Sequence, residues 1–354
     1  MGLRTFTLLE LAEKSGGTLD GESLTLSGLA GVDEAGDRDF TFVRSAAQEG
    51  ELRSSKALAA AVPLDFPKAD RPVIRHPNPR FVFCVALSLA APPETHPPGI
   101  DPRAAVDPNA RVSPEASIGP FAVIEAEAEI GPRTRVGPHV VIGKGARIGA
   151  NCRLDPGVVV YRDCVVGDRT TLFSGAVIGC DGFGFEVWRN AVHRMNHVGN
   201  TVIGNDVEIG AQTCVDRATT GSTSVGHGSK LDNLVQIGHN VQIGRSTLIA
   251  AMAGIAGSCK IGNGVVMGGR VMMPDHAEVG DGARLAGNTG VWKKVPPGVT
   301  WSGNPARDHR TEMRELVALP RLPQLLRDFE ALKREVLELK GDLAALRGGA
   351  GPEA

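Results

Sequence analysis

An aliphatic residue recurs at every sixth position over most of this chain, and this period constrains the fold more than any other feature. The frame runs without a miss over residues 106–178, resumes over 203–215 and, after a four-residue slip, continues over 225–291. These stretches contain twenty-eight hexads, and the residue two positions before each aliphatic is always Ala, Val, Thr, Ser or Cys. An α-helix, with about 3.6 residues per turn, cannot produce this period.

A period of six is typical of a parallel β-helix, in which neighbouring coils hydrogen-bond and enclose a continuous aliphatic core. Side chains alternate along a strand, so the aliphatic and the small residue two before it point inward, and six residues form one strand and a corner. Three hexads per coil predict about nine coils, stacked roughly 4.8 Å apart. Fifteen of the aliphatics precede a glycine, which suits a corner with positive φ or a close backbone approach. The aromatic content of 4% fits such a core.

Charge and hydropathy exclude several classes of function. The formal net charge is −2 over 354 residues, so the protein has no global positive field for nucleic acid or anionic lipid. The N-terminus has no apolar stretch of secretory length, and the longest apolar run, 81–92, is too short to span a bilayer. We therefore expect a cytoplasmic protein.

Six cysteines are scattered along the chain without a CxxC pair, which speaks against a zinc knuckle and against a disulfide framework. We interpret four of them as small core residues of the coils, namely Cys152, Cys164, Cys214 and Cys259. The pattern assigns no role to Cys84 or Cys180.

Both ends of the chain lack the hexad. Residues 1–100 combine a short helical pattern near residue 8 with strand-like pieces at 40–43 and 57–62, which predicts a small α/β cap. A proline-rich link over 92–102 is the expected boundary to a β-helix domain over 101–304.

Residues 305–354 are expected to form a helical extension. Its apolar residues step alternately by three and four, as in a coiled-coil seam or a packed helix: Leu322, Leu325, Phe329, Leu332, Val336, Leu339, Leu343 and Leu346. A bundle of three chains and a helix lying on its own subunit both satisfy this spacing.

The frame is broken over residues 179–202 by an insertion that begins GCDGFGF. Insertions in a solenoid project as loops, often on the binding face. Gly182 and Gly184 do not indicate a nucleotide loop, because no βαβ unit surrounds them. Phe183 and Phe185 fit either an exposed apolar wall for a ligand or an anchor on the subunit itself.

His239 follows the inward Ile237 by two residues, so it lies at a corner and points away from the core. Its position suits a general base, since histidine titrates near neutral pH, but also a plain surface residue. Gly257 is eighteen residues further on and should stack beside it, where its N–H could stabilise an oxyanion or the glycine could merely ease a corner. His276 is two coils and one residue beyond His239, on the same edge but out of direct reach.

A zinc site is the rival interpretation of the histidines. It requires three of them to converge, and the five candidates do not share columns in that way: His193, His197, His227, His239 and His276.

Six features of the chain now combine: the cap, the long hexad region, the DGFGF insertion, the stretch DNLVQIGHNVQIG, the AGS at 256–258 and the terminal helix. Together they resemble the UDP-3-O-(3-hydroxyacyl)glucosamine N-acyltransferases of lipid A biosynthesis over nearly the whole chain. The resemblance implies a left-handed β-helix and a homotrimer with active sites between subunits. It also implies His239 as general base, Gly257 N–H as oxyanion donor and His276 at the donor site.

The resemblance further implies a 3-hydroxyacyl thioester on acyl carrier protein as donor, the amine of UDP-3-O-acylglucosamine as acceptor, and no cofactor or metal. The substrate-binding residues carried over are Phe42, Phe183, Phe185, Asn233, Gln236 and Asn240. The alternatives are a CoA-dependent acetyl or succinyl transferase of the same fold and a non-catalytic scaffold; the cap and the DGFGF loop argue against the first.

Two segments depart from the family pattern. Phe42 is followed by Val43, Arg44, Ser45, Ala46, Ala47 and Gln48, without the Asn and the Tyr that help to clamp the uracil in the family. Residues 288–292 lack the methionines that often limit acyl length there, so the chain-length preference is not carried over.

An acidic carrier protein needs a basic surface. Residues 293–321 carry six cationic side chains (Lys293, Lys294, Arg307, Arg310, Arg314 and Arg321) against three acidic ones (Asp308, Glu312 and Glu315). We expect the carrier to dock there through screened rim contacts; a solvated helix face is the alternative.

Overall fold

A computed structural model describes residues 3–92, 96–292, 294–303 and 309–348. The chain divides into two compact units, Met1–His96 and Pro97–Ala354. The division lies slightly before the expected boundary at residue 100, because Gly99–Ile100 already pairs as a strand with Ser117–Ile118 of the solenoid.

The N-terminal unit is a five-stranded mixed sheet packed against helices. In spatial order the strands are Thr18–Asp20, Val73–Arg75, Ala59–Val62, Asp39–Phe42 and Gly28–Leu29. The helices are Leu8–Ser15, Glu49–Ser54 and Pro79–Ala90, and a two-stranded ladder joins Phe6–Thr7 to Thr25–Leu26. Thr7 caps the first helix and Asn78 the third, each accepting a hydrogen bond from a backbone N–H of the first turn.

The second unit is a parallel solenoid with three sheets, as the hexad period predicts. Sheet 1 contains Arg111–Val112, Glu129–Ile130, Arg147–Ile148, Val165–Val166, Asn200–Ile203, Ser222–Val225, Gln242–Ile243, Lys260–Ile261, Glu278–Val279 and Lys294–Val295. Sheet 2 contains Gly99–Ile100, Ser117–Ile118, Arg135–Val136, Arg153–Leu154, Thr171–Leu172, Glu208–Ile209, Lys230–Leu231, Leu248–Ile249, Val266–Met267, Arg284–Leu285 and Thr300–Trp301. Sheet 3 contains Ala105–Val106, Val123–Ile124, Val141–Ile142, Val159–Val160, Val177–Ile178, Cys214–Val215, Gln236–Ile237, Gly254–Ile255 and Met272–Met273.

The sheets have 10, 11 and 9 strands, so the solenoid has about ten coils rather than nine. The extra strands, such as Gly99–Ile100 and Thr300–Trp301, lie outside the stretches 106–178, 203–215 and 225–291 and extend the ladder at both ends. Within the regular coils each aliphatic pairs with the aliphatic eighteen residues away, as Ile118 does with Val136.

The interior of the solenoid is one continuous hydrophobic cluster from Ala116 to Val295. Cys152, Cys164 and Cys259 are buried in it, as predicted. The prediction for Cys214 is wrong, because Cys214 directly precedes the inward Val215 and therefore lies on the outer face of its strand, half-buried. The inward position belongs to Thr213, which is fully buried.

The corner glycines serve close approach, not positive φ. Of the fifteen glycines that follow an aliphatic, all within the described residues, only Gly179 has a positive φ. A Cβ at Gly238 would instead lie 2.9 Å from the backbone nitrogen of Gly257 on the next coil. The left-handed conformation falls two residues after the corner glycine, as at Asn240, which has φ 60°.

The C-terminal segment is helical over His309–Ala318 and Leu322–Gly348, with a short 3-10 turn at Leu319–Arg321 between them. The described side chains of the apolar seam, from Leu322 to Leu343, are 41–64% exposed. These side chains are therefore not buried by the rest of the described chain. Among the described helices, none is both long and apolar enough to cross a membrane.

Candidate active site

Between residues 106 and 291 the solenoid frame is interrupted twice, and both interruptions contact the corner that carries His239. The first is the insertion between Val177–Ile178 and Asn200–Ile203. The second is the four-residue slip between Cys214–Val215 and Ser222–Val225. All other coils near His239 keep the eighteen-residue repeat, so the irregular segments distinguish this corner from the rest.

Residues of the slip hold the imidazole of His239 through Asn240. The side-chain oxygen of Asn240 accepts a hydrogen bond from the backbone N–H of Thr219 at 3.0 Å. The side-chain nitrogen of Asn240 donates to the carbonyl of Thr220 at 2.9 Å. The same oxygen lies 3.2 Å from Nδ1 of His239. Because that oxygen only accepts, a neutral His239 ring that makes this bond carries its proton on Nδ1, which leaves the lone pair on Nε2.

The insertion supplies the next neighbours of His239, which sequence reasoning did not identify. The ring of His197 lies 5.2 Å from that of His239 in an edge-on arrangement. His197 is buried, its Nδ1 donates to the carbonyl of Met195 at 3.1 Å, and its Nε2 has no partner among the described residues. A Cβ on Gly182 would lie 3.0 Å from Nε2 of His197 and 3.0 Å from Cβ of His239, so the first glycine of DGFGF packs closely against both histidines.

Gly257 lies directly against the His239 ring. A Cβ there would be 2.6 Å from Cε1 and 2.7 Å from Nε2 of the imidazole, closer than real contacts allow. Within the described part of the chain, no acceptor bonds the Gly257 N–H. A side chain at residue 257 would therefore displace the His239 ring, and glycine leaves a backbone N–H donor available near the imidazole.

His276 lies on the same edge. Its backbone N–H donates to the Gly257 carbonyl at 3.0 Å, and the N–H of Ser258 donates to the His239 carbonyl at 2.8 Å. The side chain of His276 is exposed. The structure therefore aligns His239, Gly257 and His276 on one corner column, as the coil arithmetic predicts.

Three other predicted residues do not belong to this corner column. Asn233 occupies the corner between sheets 2 and 3, whereas His239 occupies the corner between sheets 3 and 1. The side-chain oxygen of Asn233 accepts a hydrogen bond from the backbone N–H of Ala211 at 2.7 Å. Gln236 is exposed on the outer face of sheet 3. Phe42 belongs to the N-terminal unit, where its ring packs 5.0 Å from that of Phe83.

Phe183 and Phe185 form an exposed aromatic pair. Their rings meet edge-on at 5.0 Å, and Phe183 is 86% exposed, which excludes a role as an anchor on its own subunit. The hairpin that follows, Phe185–Trp188 with Ala191–Arg194, is exposed throughout. These residues present apolar surface at the root of the insertion.

Asp216 is a buried carboxyl behind this corner. Burial raises the pKa of Asp216, while hydrogen bonds from Cys180 and Gln236 act in the opposite direction. The histidines themselves do not form a metal site among the described residues, where the one candidate cluster is Cys180, Cys214 and Asp216.

Comparison with known proteins gives matches along nearly the whole chain. It is 44% identical over 334 residues to the UDP-3-O-acylglucosamine N-acyltransferase of Syntrophus aciditrophicus, covering 94% of this chain and 92% of that protein. It is 42% identical over 337 residues to the enzyme of the same name from Nitratidesulfovibrio vulgaris, covering 95% and 98%.

Two further matches are narrower. A family model of the GMPPB C-terminal domain matches residues 122–220, inside the solenoid. Among solved structures, the Arabidopsis UDP-N-acetylglucosamine acyltransferase is similar with a TM-score of 0.53 at 22% identity, over 58% of this chain and 71% of that one. At this identity the structural match concerns the fold alone.

Proposed function

This chain belongs to the family of UDP-3-O-acylglucosamine N-acyltransferases and is an acyltransferase, and we propose that it moves a 3-hydroxyacyl group from acyl carrier protein to the 2-amine of UDP-3-O-acylglucosamine in lipid A biosynthesis. The observation that carries the proposal is that Nε2 of His239 and the nearby N–H of Gly257 have no hydrogen-bond partner among the described residues. A cytoplasmic location remains an expectation from composition.

The chemical steps follow from these two groups. The acceptor amine attacks the thioester carbonyl while Nε2 of His239 takes an amine proton. The carbonyl oxygen becomes an oxyanion that the Gly257 N–H stabilises. The tetrahedral intermediate then expels the carrier thiolate, which receives the proton from His239, and the amide product forms.

The other predicted residues have supporting parts in this proposal. His276 would contact the donor from the same edge, and the exposed pair Phe183 and Phe185 would cover apolar parts of the substrates. Gln236 would contact the acceptor from sheet 3. Asn240, predicted to bind substrate, has its amide bonded within the protein, so we assign it the positioning of His239.

A homotrimer with sites between subunits agrees with two observations. The apolar seam of Leu322–Gly348 is exposed in the single chain and needs a partner. Asn233 lies at a different corner from His239, so a site that uses both residues needs two copies of the chain.

We also propose that the carrier docks on the basic segment 293–321, of which the structure describes only some side chains. Lys293, Arg307, Asp308 and the side chains of Arg310 and Glu312 lie outside the described residues. Of the others, Lys294 is paired with Glu278 at 3.2 Å, and Arg314 and Arg321 are exposed.

The test is a thioester-release assay with UDP-3-O-acylglucosamine as acceptor and matched 3-hydroxyacyl donors on acyl carrier protein and on CoA. We expect release that depends on the acceptor and is much faster with the carrier donor. Faster release from acetyl- or succinyl-CoA would establish the CoA-dependent alternative. Release from no donor would leave the scaffold alternative.

A further inference from the structure

Three side chains with metal-ligating atoms meet where the insertion leaves the solenoid. The Sγ atom of Cys180 lies 3.3 Å from Sγ of Cys214 and 3.2 Å from Oδ1 of Asp216. One ligand atom from each residue lies within 4.8 Å of the other two. The reaction proposed above uses none of these groups.

The coil geometry explains why they meet although they are far apart in sequence. Cys180 comes two residues after the strand Val177–Ile178, and Cys214–Val215 is the paired strand on the next coil. The N–H of Arg217 donates to the Cys180 carbonyl at 2.8 Å, which ties the two coils together just past Asp216. The outward position of Cys214 makes its thiol available to Cys180.

The cluster concentrates acidic groups in a half-buried place. Burial raises the pKa of Asp216, and the hydrogen bond with Cys214, together with burial, raises the pKa of Cys180. Two thiolates and a carboxylate cannot all ionise side by side without a compensating cation. A divalent ion supplies that charge and displaces the thiol protons.

We propose that Cys180, Cys214 and Asp216 bind Zn²⁺, with water as the fourth ligand. At the usual zinc distances of about 2.3 Å to sulfur and about 2.0–2.2 Å to oxygen, tetrahedral ligand atoms lie roughly 3.5–3.8 Å apart. The observed separations are only slightly shorter, so small side-chain rotations open the site. Thiolates select zinc over magnesium or calcium, which prefer oxygen ligands.

A bound ion would fasten the insertion to the coil beneath it. Gly182, which packs on His239, is two residues after Cys180. The ion would therefore hold the start of the insertion in place without touching the reacting atoms. The zinc site does not depend on the identity of the acyl donor or acceptor, so its test is independent of the test of the proposed function.

The experiment uses the full chain, reduced with a phosphine and freed of metal with a chelator. Co²⁺ is titrated as a spectroscopic probe, and Zn²⁺ affinity is measured by competition. We expect one ion per chain, thiolate-to-cobalt charge-transfer bands in the near ultraviolet, and tighter binding at higher pH. Cys180→Ser and Cys214→Ser should each weaken Zn²⁺ binding by at least about 10–100-fold.

Cys84→Ser is the matched control, since Cys84 is exposed in the N-terminal unit, and it should bind as wild type does. Asp216→Asn keeps both thiols and should lower the affinity while retaining the charge-transfer bands, which provides a second variant if a serine variant misfolds. The proposal is overturned if Zn²⁺ affinity is unchanged in both serine variants or if the charge-transfer bands are absent. It is also overturned if a Cys180–Cys214 disulfide forms under mild peroxide and leaves zinc binding unaltered.

Discussion

The corners of the coils before the insertion and the corner that carries His239 differ, although the interiors behind them are alike. Over residues 105–178 the corners carry ion pairs between coils, such as Arg133 with Glu115 at 2.8 Å and Lys144 with Glu127 at 3.2 Å. Such exposed pairs contribute little free energy. At the corner that carries His239, this side chain is hydrogen-bonded to Asn240 and packs against Gly182 and Gly257. The inward columns therefore hold the fold, while the corners are free to differ in chemistry.

The largest effect is expected from breaking an inward column. Ile237→Asp places an unpaired carboxylate in a dry aliphatic core, which costs several kcal/mol and should abolish soluble, folded protein. Ile237→Val is the matched control and should cost only about 0.5–1.5 kcal/mol. Circular dichroism melting of both variants gives the comparison, and a stable Asp variant would contradict the inward assignment.

Removing the corner base should affect rate and leave the fold intact. We expect His239→Ala to lower the acyl-transfer rate by about 10²- to 10⁴-fold, because the amine proton then has no positioned acceptor. His139→Ala is the control from the earlier coils, where an exposed corner histidine stacks on Phe121. That variant should keep wild-type turnover; equal losses in both variants would erase the distinction between the two regions.

Adding one methyl group at the contact with His239 should give a smaller loss. Gly257→Ala puts a Cβ against the imidazole and should lower kcat by about 10²-fold by displacing the ring. Gly254→Ala, in the same coil, meets no atom within 4 Å and should leave kcat unchanged. Similar kcat values for the two alanine variants would show that Gly257 is not required by His239.

The smallest effect is expected in the N-terminal unit. Phe42→Ala should raise the acceptor KM several-fold with little change in kcat, because stacking on a distant nucleotide gives uniform binding. Phe42→Leu retains packing on Phe83 and separates loss of stacking from loss of stability. Gln48→Tyr should tighten acceptor binding by up to about 1 kcal/mol. Unchanged KM in all three variants would mean that this unit does not bind the uridine.

The sequence predicts the solenoid well because one short period determines strand, corner and core together. It also places His239, Gly257 and His276 on one edge, since eighteen-residue stacking holds in that stretch. It does not reveal the contact of His197 with His239, because the path of an insertion follows from no period. The bonds from Thr219 and Thr220 to Asn240 are missed for the same reason, as they arise in the slip. Cys214 is misassigned by a single position in the same coil.

The two irregular segments also bear on how the chain finds its register. A perfectly periodic solenoid pairs equally well after a shift by one whole coil, so its stacking is degenerate. Here the pairing distance changes from 18 residues to 37 at Val166 with Ile203, and to 22 at Ile203 with Val225. In a stack displaced by one coil, the strands on either side of these segments would no longer meet at these separations. The segments that build the His239 corner thus break the translational symmetry of the repeat and give each coil a unique neighbour during folding.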